Sequence, residues 1–368
     1  MSQSLLIDNW TLQNAGEILC NGLDAETARD LVFTKTGANY RYEEIPSGVV
    51  RFEALCQLLN NIVFADELYV DGNYAHVWSQ FDPIKKAHAA RIVIQKPFEE
   101  VANEWIPARE VMAERLCVNA PLRKAHRANE RAYAKGGEPK DAFLSQLLWG
   151  GAGMLARADY FNLPYAPHPA RARLFSQAGS LLGRPTATSR LTEFVAGERA
   201  KIYKCIGGGG VTAEIHLPPV VVQIVESSRD VAELVPTALQ LRDEYKKLRG
   251  WLAKLQQALA EENTKEILAH HKELQSVARH VDSYGALTPQ GDTTVQFGVS
   301  WLRIGFKGGS PLNAVKNKFG MRAELNRLIL APAGFNSVKK FTKMLGEQHT
   351  KRGRALAESI VQRLSEKK

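Results

Sequence analysis

Residues 231–284 hold two stretches of helical periodicity joined by almost nothing, and that pattern constrains the fold most. Asp230 with Glu233 three residues later has the spacing of a capping box. From there "VAELVPTALQLRDEYKKLRGWLAKLQQALAEEN" reads as one helix, with Pro236 near its start; a proline placed further inside would kink it. Asn263-Thr264 make a turn, and "KEILAHHKELQSVARHVDSY" reads as a second helix stopped by Gly285. Two helices with so short a connection form an antiparallel αα-hairpin.

The rest of the chain arranges itself around that hairpin. Before residue 100 the signals are mixed. "DAETARDLVF" has an Asp24 cap and helical spacing, and "NYRYEEI" alternates like a strand. "GVVRFEALCQLLNN" repeats apolar residues every three or four positions, and "IVFADELYVDG" and "ARIVIQ" read as short strands. From Pro107 onward helices dominate: "PAREVMAERLCVNA", "PLRKAHRANERAYAK" and "DAFLSQLLWGGAGMLARADYF", the last with Asp141 as N-cap. "TTVQFGVSWLRIGF" alternates as a strand, with Gly298 at a change of phase. Three short basic helices close the chain. The expected class is α+β, predominantly helical. It comprises a small mixed α/β unit over 1–100, a helical domain over 101–290 with the hairpin at 231–284, and a basic strand-plus-helices region over 291–368.

Chain length and chemistry narrow the setting. At 368 residues, 45% hydrophobic and 24% charged, the chain can bury a core without covalent staples. Cys20, Cys56, Cys117 and Cys205 never approach a C-x-x-C spacing, which argues against a zinc ribbon and against a disulfide-stapled domain. The first residues lack a basic leader, and the longest apolar stretches carry charges and fall short of the ~20 residues a bilayer span needs. The expectation is a reduced, cytoplasmic protein with no membrane partner.

Charge is distributed unevenly. The whole chain carries +9, yet residues 301–368 hold fifteen Lys and Arg against four Glu, or +11. The basic character therefore belongs to the last fifth, an asymmetry that suits a polyanion partner. Lys316, Lys318, Arg322, Lys339, Lys340, Lys343, Lys351, Arg352 and Arg354 recur there with few acids between them. On a helical projection Lys339, Lys340 and Lys343 face outward together. Phe335, Val338 and Phe341 or Leu345 then pack inward, so the aromatics read as core and not as stacking platforms.

Four other features invite chemistry. Gly207–Gly210 lack the Lys-Ser/Thr and the following helix of a phosphate loop, and read as a hinge. Asp66, Glu67 and Asp71 cluster about a strand and suit Mg²⁺ if they converge, with Glu53 or Asp82 as further ligands; the bland alternative is a turn and a solvated edge. In the second hairpin helix, His271 falls on the apolar stripe, while Glu266, His270 and Glu273 fall on the opposite, polar face. "LPYAPHPARARLF" is fixed by three prolines and presents Tyr165, His168, Arg171 and Arg173 in set positions, a combination suited to a phosphate or a base.

These observations lead to a nucleic-acid-binding protein acting through the C-terminal basic region, with Arg171 and Arg173 as further contacts and DNA or RNA as partner. A component of a bacterial defence or mobile-element system fits that reading. An acidic protein partner would meet the same charge. The alternatives are a metal-dependent nuclease or hydrolase on Asp66, Glu67 and Asp71, and a non-enzymatic assembly subunit built on the hairpin.

Overall fold

Leu5, Leu6 and Ile7 form an unbroken apolar triplet, the pattern of a strand covered on both faces. They lie in β1 (Ser4–Ile7), a central strand of a four-stranded parallel sheet. The computed structural model describes residues 4–22, 29–36, 39–118, 120–138, 142–178, 186–205, 218–285, 320–330 and 335–347. The sheet's partners are β4 (Glu67–Asp71), β5 (Val93–Lys96) and β6 (Tyr165–Ala166), in the order β5-β4-β1-β6. Between β1 and β4 run α1 (Asn9–Asn21), an antiparallel hairpin of β2 (Arg29–Thr36) and β3 (Asn39–Pro46), and α2 (Ser47–Phe64). The segment expected as a helix from Asp24 thus becomes strand β2 from Arg29 onward. An eight-pair ladder with β3, from Arg29↔Pro46 to Thr36↔Asn39, outweighs its local helical spacing.

The two faces of the sheet are covered by different helices. Leu5, Ile7, Leu68, Val70 and Val93 enter the main core, which they share with α1, α2 and α3 (Asp82–Ala89). Leu6 and Tyr69 face the other way, toward a helical layer in which α7 (Gly151–Tyr160) packs on α4 (Ala102–Leu116), and α5 (Ala120–Ala134) and α6 (Ala142–Ser145) share an apolar cluster with both. Of these, α7 supplies Met154 and Ala158 to the small cluster around Leu6 and Phe98. The chain passes from β1 outward to β4 and β5, and then returns to lay β6 on β1's other edge. The reversal makes a topological switch point beside the carboxyl end of β1.

The main core continues through α9 (Ala187–Cys205), α10 (Pro219–Ser227) and the hairpin, whereas α8 (Pro169–Ala178) packs between α2 and α4 and puts Ala170, Leu174 and Phe175 into the cluster of the helical layer. The first hairpin arm is two helices, α11 (Leu234–Glu244) and α12 (Lys246–Ala260), interrupted at Tyr245. Tyr245 is fully buried, and the restart of the helix is stabilised from elsewhere: Glu324 Oε2 accepts the Leu248 N–H at 2.7 Å. Glu324 belongs to α14 (Met321–Leu330), and its cap satisfies a donor that the interruption would otherwise orphan. Asp230 caps the entry to this arm as expected, accepting the Glu233 N–H at 3.1 Å. The second arm is α13 (Thr264–Gly285).

The fold is α+β and predominantly helical. Among the described residues, no helix is long and apolar enough to cross a membrane. The glycine run 207–210, the strand expected around Val295–Phe306, and Lys316, Lys318, Lys351, Arg352 and Arg354 lie outside the described residues.

Candidate functional site

The carboxyl edge of the parallel sheet gathers the most concentrated chemistry in the described residues. Asp8 follows β1 and caps α1, its Oδ1 accepting the Trp10 N–H at 3.0 Å. Its other oxygen receives three donors from the proline-fixed segment: Tyr165 Oη at 2.6 Å, Arg171 Nη1 at 2.6 Å and the His168 N–H at 3.3 Å. The prolines therefore do present Tyr165, His168 and Arg171 in set positions, but toward Asp8 inside the protein. Gln57 of α2 holds the loop by donating to the Pro167 carbonyl at 2.8 Å.

The electrostatics of this cluster follow from burial. Burial pushes the Asp8 carboxyl up, but Arg171, then His168, Tyr165 and the Trp10 N–H, together hold it below the usual carboxylate range. Burial and the neighbouring Asp8 charge raise the Tyr165 phenol well above its usual value, so it stays a donor. Burial also drives His168 down to about 3, leaving a neutral imidazole. Its tautomer is fixed: Nδ1 accepts the Ala170 N–H at 3.3 Å, so Nε2 carries the proton and donates to Asn14 Oδ1 at 3.0 Å. Trp10 stacks on this ring, with centroids 4.3 Å apart.

Asp71 ends β4, next to β1, and repeats the arrangement on a smaller scale. Burial raises its carboxyl, opposed by Arg157 of α7, whose Nη2 lies 2.9 Å from Oδ2. Arg157 in turn stands 3.9 Å over the Trp105 ring, and Arg109 stands 4.2 Å over Trp149. Two buried aspartates on neighbouring strand ends are thus each met by an arginine from the helical layer.

A glycine-rich turn makes those arginines fit. Residues Gln146–Gly150 form a π-helical turn that runs directly into α7. Gln146 offers its carbonyl to Arg171 Nη2 at 2.9 Å. A Cβ on Gly150 would stand 2.4 Å from Arg171 Nη2, and one on Gly153 would stand 2.9 Å from Arg157 Nη1. "WGGAG" is therefore a packing device for two guanidinium groups.

The sequence-derived acids do not come together. Asp66 precedes β4 and binds Arg249 Nε at 3.1 Å; Glu67 accepts from Ser4 Oγ at 2.9 Å and from Tyr69 Oη at 2.5 Å. Asp71 lies at the other end of the strand, about 13–17 Å along the chain at ~3.3 Å per residue. Glu53 is bidentate to Arg173 at 2.7 and 2.8 Å, and Asp82 pairs with Lys85 at 2.9 Å. Of the arginines taken as nucleic-acid contacts, Arg171 is only 7% exposed and held by Asp8, while Arg173 is held by Glu53. On α13 the faces are exchanged: His270 is half-buried edge-on to Trp251, and His271 is exposed and bonds Gln275. Packing against α12 chooses the face holding His270, Leu274 and Val277 over the one holding His271.

Exposed basic charge is found on other helices. In α15 (Phe335–Glu347) Lys339 and Lys343 are exposed and Lys340 half-exposed, while Phe341, Met344 and Leu345 are buried, with Phe341 5.0 Å from Phe52. Arg322 of α14 is exposed too. Helix α5 is the stronger case. Leu122, His126 and Asn129 are buried, whereas Arg123, Lys124, Arg127 and Arg131, and Lys135 just beyond the helix, are all exposed. At about 100° per residue these five cations fall within an arc of roughly 120°, opposite the buried face. The sequence marks this segment as a helix but its basic face goes unnoticed there, although basic residues four apart at 123, 127, 131 and 135 are a signal for it. Asp8 goes unnoticed as well, where the signal is an acid closing an apolar strand.

No protein-family model, curated protein or solved structure matches this chain.

Proposed function

We propose that this protein binds nucleic acid through the basic arc of α5. Lys339, Lys340 and Lys343 of α15 and Arg322 of α14 provide a second set of phosphate contacts. The observation that carries this reading is the exposure of five cations on one side of a helix whose other side is anchored in the core. No hydrogen bond or ion pair among the described residues occupies the side chains of Arg127, Arg131 and Lys135. Charges so arranged contact phosphates and release counterions, which gives affinity without base specificity and suits DNA and RNA alike. Arg171 and Arg173 are not needed in this interface, being committed to Asp8 and Glu53.

The internal network supports the same reading from the scaffold side. Asp8 fixes Arg171, Arg171 fixes the π-helical turn, and Trp149 of that turn lies 6.0 Å from the His126 ring on α5. A helix held this firmly offers its charges in fixed positions, so binding costs little ordering entropy beyond that of the charged side chains themselves. The test is binding to duplex DNA and to single-stranded RNA across a salt series, comparing the wild type with a triple substitution of Arg127, Arg131 and Lys135 by Gln.

A further inference from the structure

Helices α4 and α5 meet at an apolar cluster in which Leu116, Cys117 and Leu122 pack with Leu144 and Leu148. Arg123 Nη2 ties the junction further by donating to the Cys117 carbonyl at 3.0 Å. Directly beside it, Glu114 from the last turns of α4 faces His126 and Glu130, one turn apart on α5. The ligand-capable atoms of the three residues all lie within 4.8 Å of one another. His126 is 4% exposed and the carboxylates are exposed, so the imidazole forms a floor and the two acids an open rim.

The ring nitrogen aimed into this cluster has no hydrogen bond. His126 Nε2 is buried, and Glu130 Oε1 at 3.3 Å does not meet it in hydrogen-bonding geometry. Leaving a buried polar atom without a partner costs about 1–3 kcal/mol. A cation drawn between the imidazole and the carboxylates would remove that cost.

The geometry points to a binding site for a divalent transition-metal ion of the zinc type, held by Glu114, His126 and Glu130. One imidazole nitrogen and two carboxylate oxygens suit Zn²⁺, which takes both donor kinds at about 2.0–2.2 Å. Mg²⁺ and Ca²⁺ favour oxygen-only sites. The imidazole is fixed by its burial, and the exposed carboxylates swing in to close the shell. Three protein ligands leave a fourth position on the solvent side for water or an incoming donor. This site is independent of the nucleic-acid reading: it uses the flank of α5 that borders the basic arc, not the arc itself.

Isothermal titration of Zn²⁺ into the chelator-stripped full-length protein tests it, alongside Glu114→Gln, Glu130→Gln and His126→Ala. One Zn²⁺ per chain is expected, with binding at least tenfold weaker in each variant. Glu114 is exposed and on the other helix, so Glu114→Gln keeps the test decisive even if His126→Ala perturbs folding. Absence of zinc binding, or unchanged affinity in Glu114→Gln and Glu130→Gln, overturns the site. A Co²⁺ complex showing a thiolate charge-transfer band also overturns it, because the ion would then be on a cysteine.

Discussion

Arg171 Nη1 lies 2.6 Å from Asp8 Oδ2 across 163 residues of chain, and both side chains are withdrawn from solvent. The pair joins the first strand of the sheet to the helix that follows the last. Removing one member of such a buried pair leaves the other charge without compensation, which costs about 3–5 kcal/mol. Asp8→Asn is expected to lower urea-unfolding stability by that amount. The double substitution Asp8→Asn with Arg171→Met should recover much of it, because no charge is left stranded. A loss below ~1 kcal/mol for Asp8→Asn, the range of an exposed pair, would contradict the role given to Asp8.

The glycines of "WGGAG" make a separate and discriminating prediction. Arg171 cannot yield to a Cβ on Gly150, since Asp8 and the Gln146 carbonyl both hold it. Gly150→Ala should therefore destabilise by about 1–3 kcal/mol, as overpacked cores do. Gly197 of α9 has nothing within 4 Å of an added Cβ. Gly197→Ala should stabilise by about 0.5–1 kcal/mol through helix propensity alone. Thermal unfolding of the two variants gives shifts of opposite sign if the packing account holds.

His168 should make the protein sensitive to acid. Its folded value of about 3 lies below the ordinary 6.5, so between those limits the unfolded chain binds the extra proton. Stability is then complete above pH 6.5 and falls as the pH drops toward 3, by up to about 1.4 kcal/mol per unit. Asp8, lowered by its partners, acts in the same direction at lower pH; Asp71, raised by burial, acts against it. Unfolding free energies of the wild type and His168→Gln, measured from pH 4 to 7, should converge as the pH falls. Parallel curves would remove His168 from the account.

Arg242 gives a fourth case. Its guanidinium donates to the carbonyls of Ile62, Ala65 and Asp66, closing the carboxyl end of α2 from the hairpin side. Hydrogen bonds from a charged donor contribute about 1.5–3 kcal/mol. Arg242→Ala should cost that much in urea unfolding, and Arg229→Ala on the exposed surface should cost nearly nothing.

Much of the architecture is legible in the sequence because it depends on local pattern. The hairpin, α2, β3, β5 and the outward lysines of α15 all follow from spacing and caps. The exceptions share one physical cause, a partner distant in sequence. Strand β2 is decided by its ladder with β3, and the interruption at Tyr245 is stabilised by Glu324, 76 residues beyond the N–H it caps. The proline segment announces a fixed loop, but only the parallel pairing of β6 with β1 shows that its target is Asp8. The carboxylates at 66, 67 and 71 are neighbours in sequence and still separate, because a strand sends its two ends to opposite edges of the sheet.

Whether α5 grips phosphates is tested most directly by the salt dependence of binding. Removing one cation that neutralises a phosphate lowers the slope of log affinity against log salt by about 0.9 on duplex DNA. Replacing Arg127, Arg131 and Lys135 by Gln should therefore flatten the slope by roughly 2.7 and weaken binding uniformly across sequences. A triple variant that binds duplex DNA with the wild-type slope would mean that α5 does not hold the phosphates.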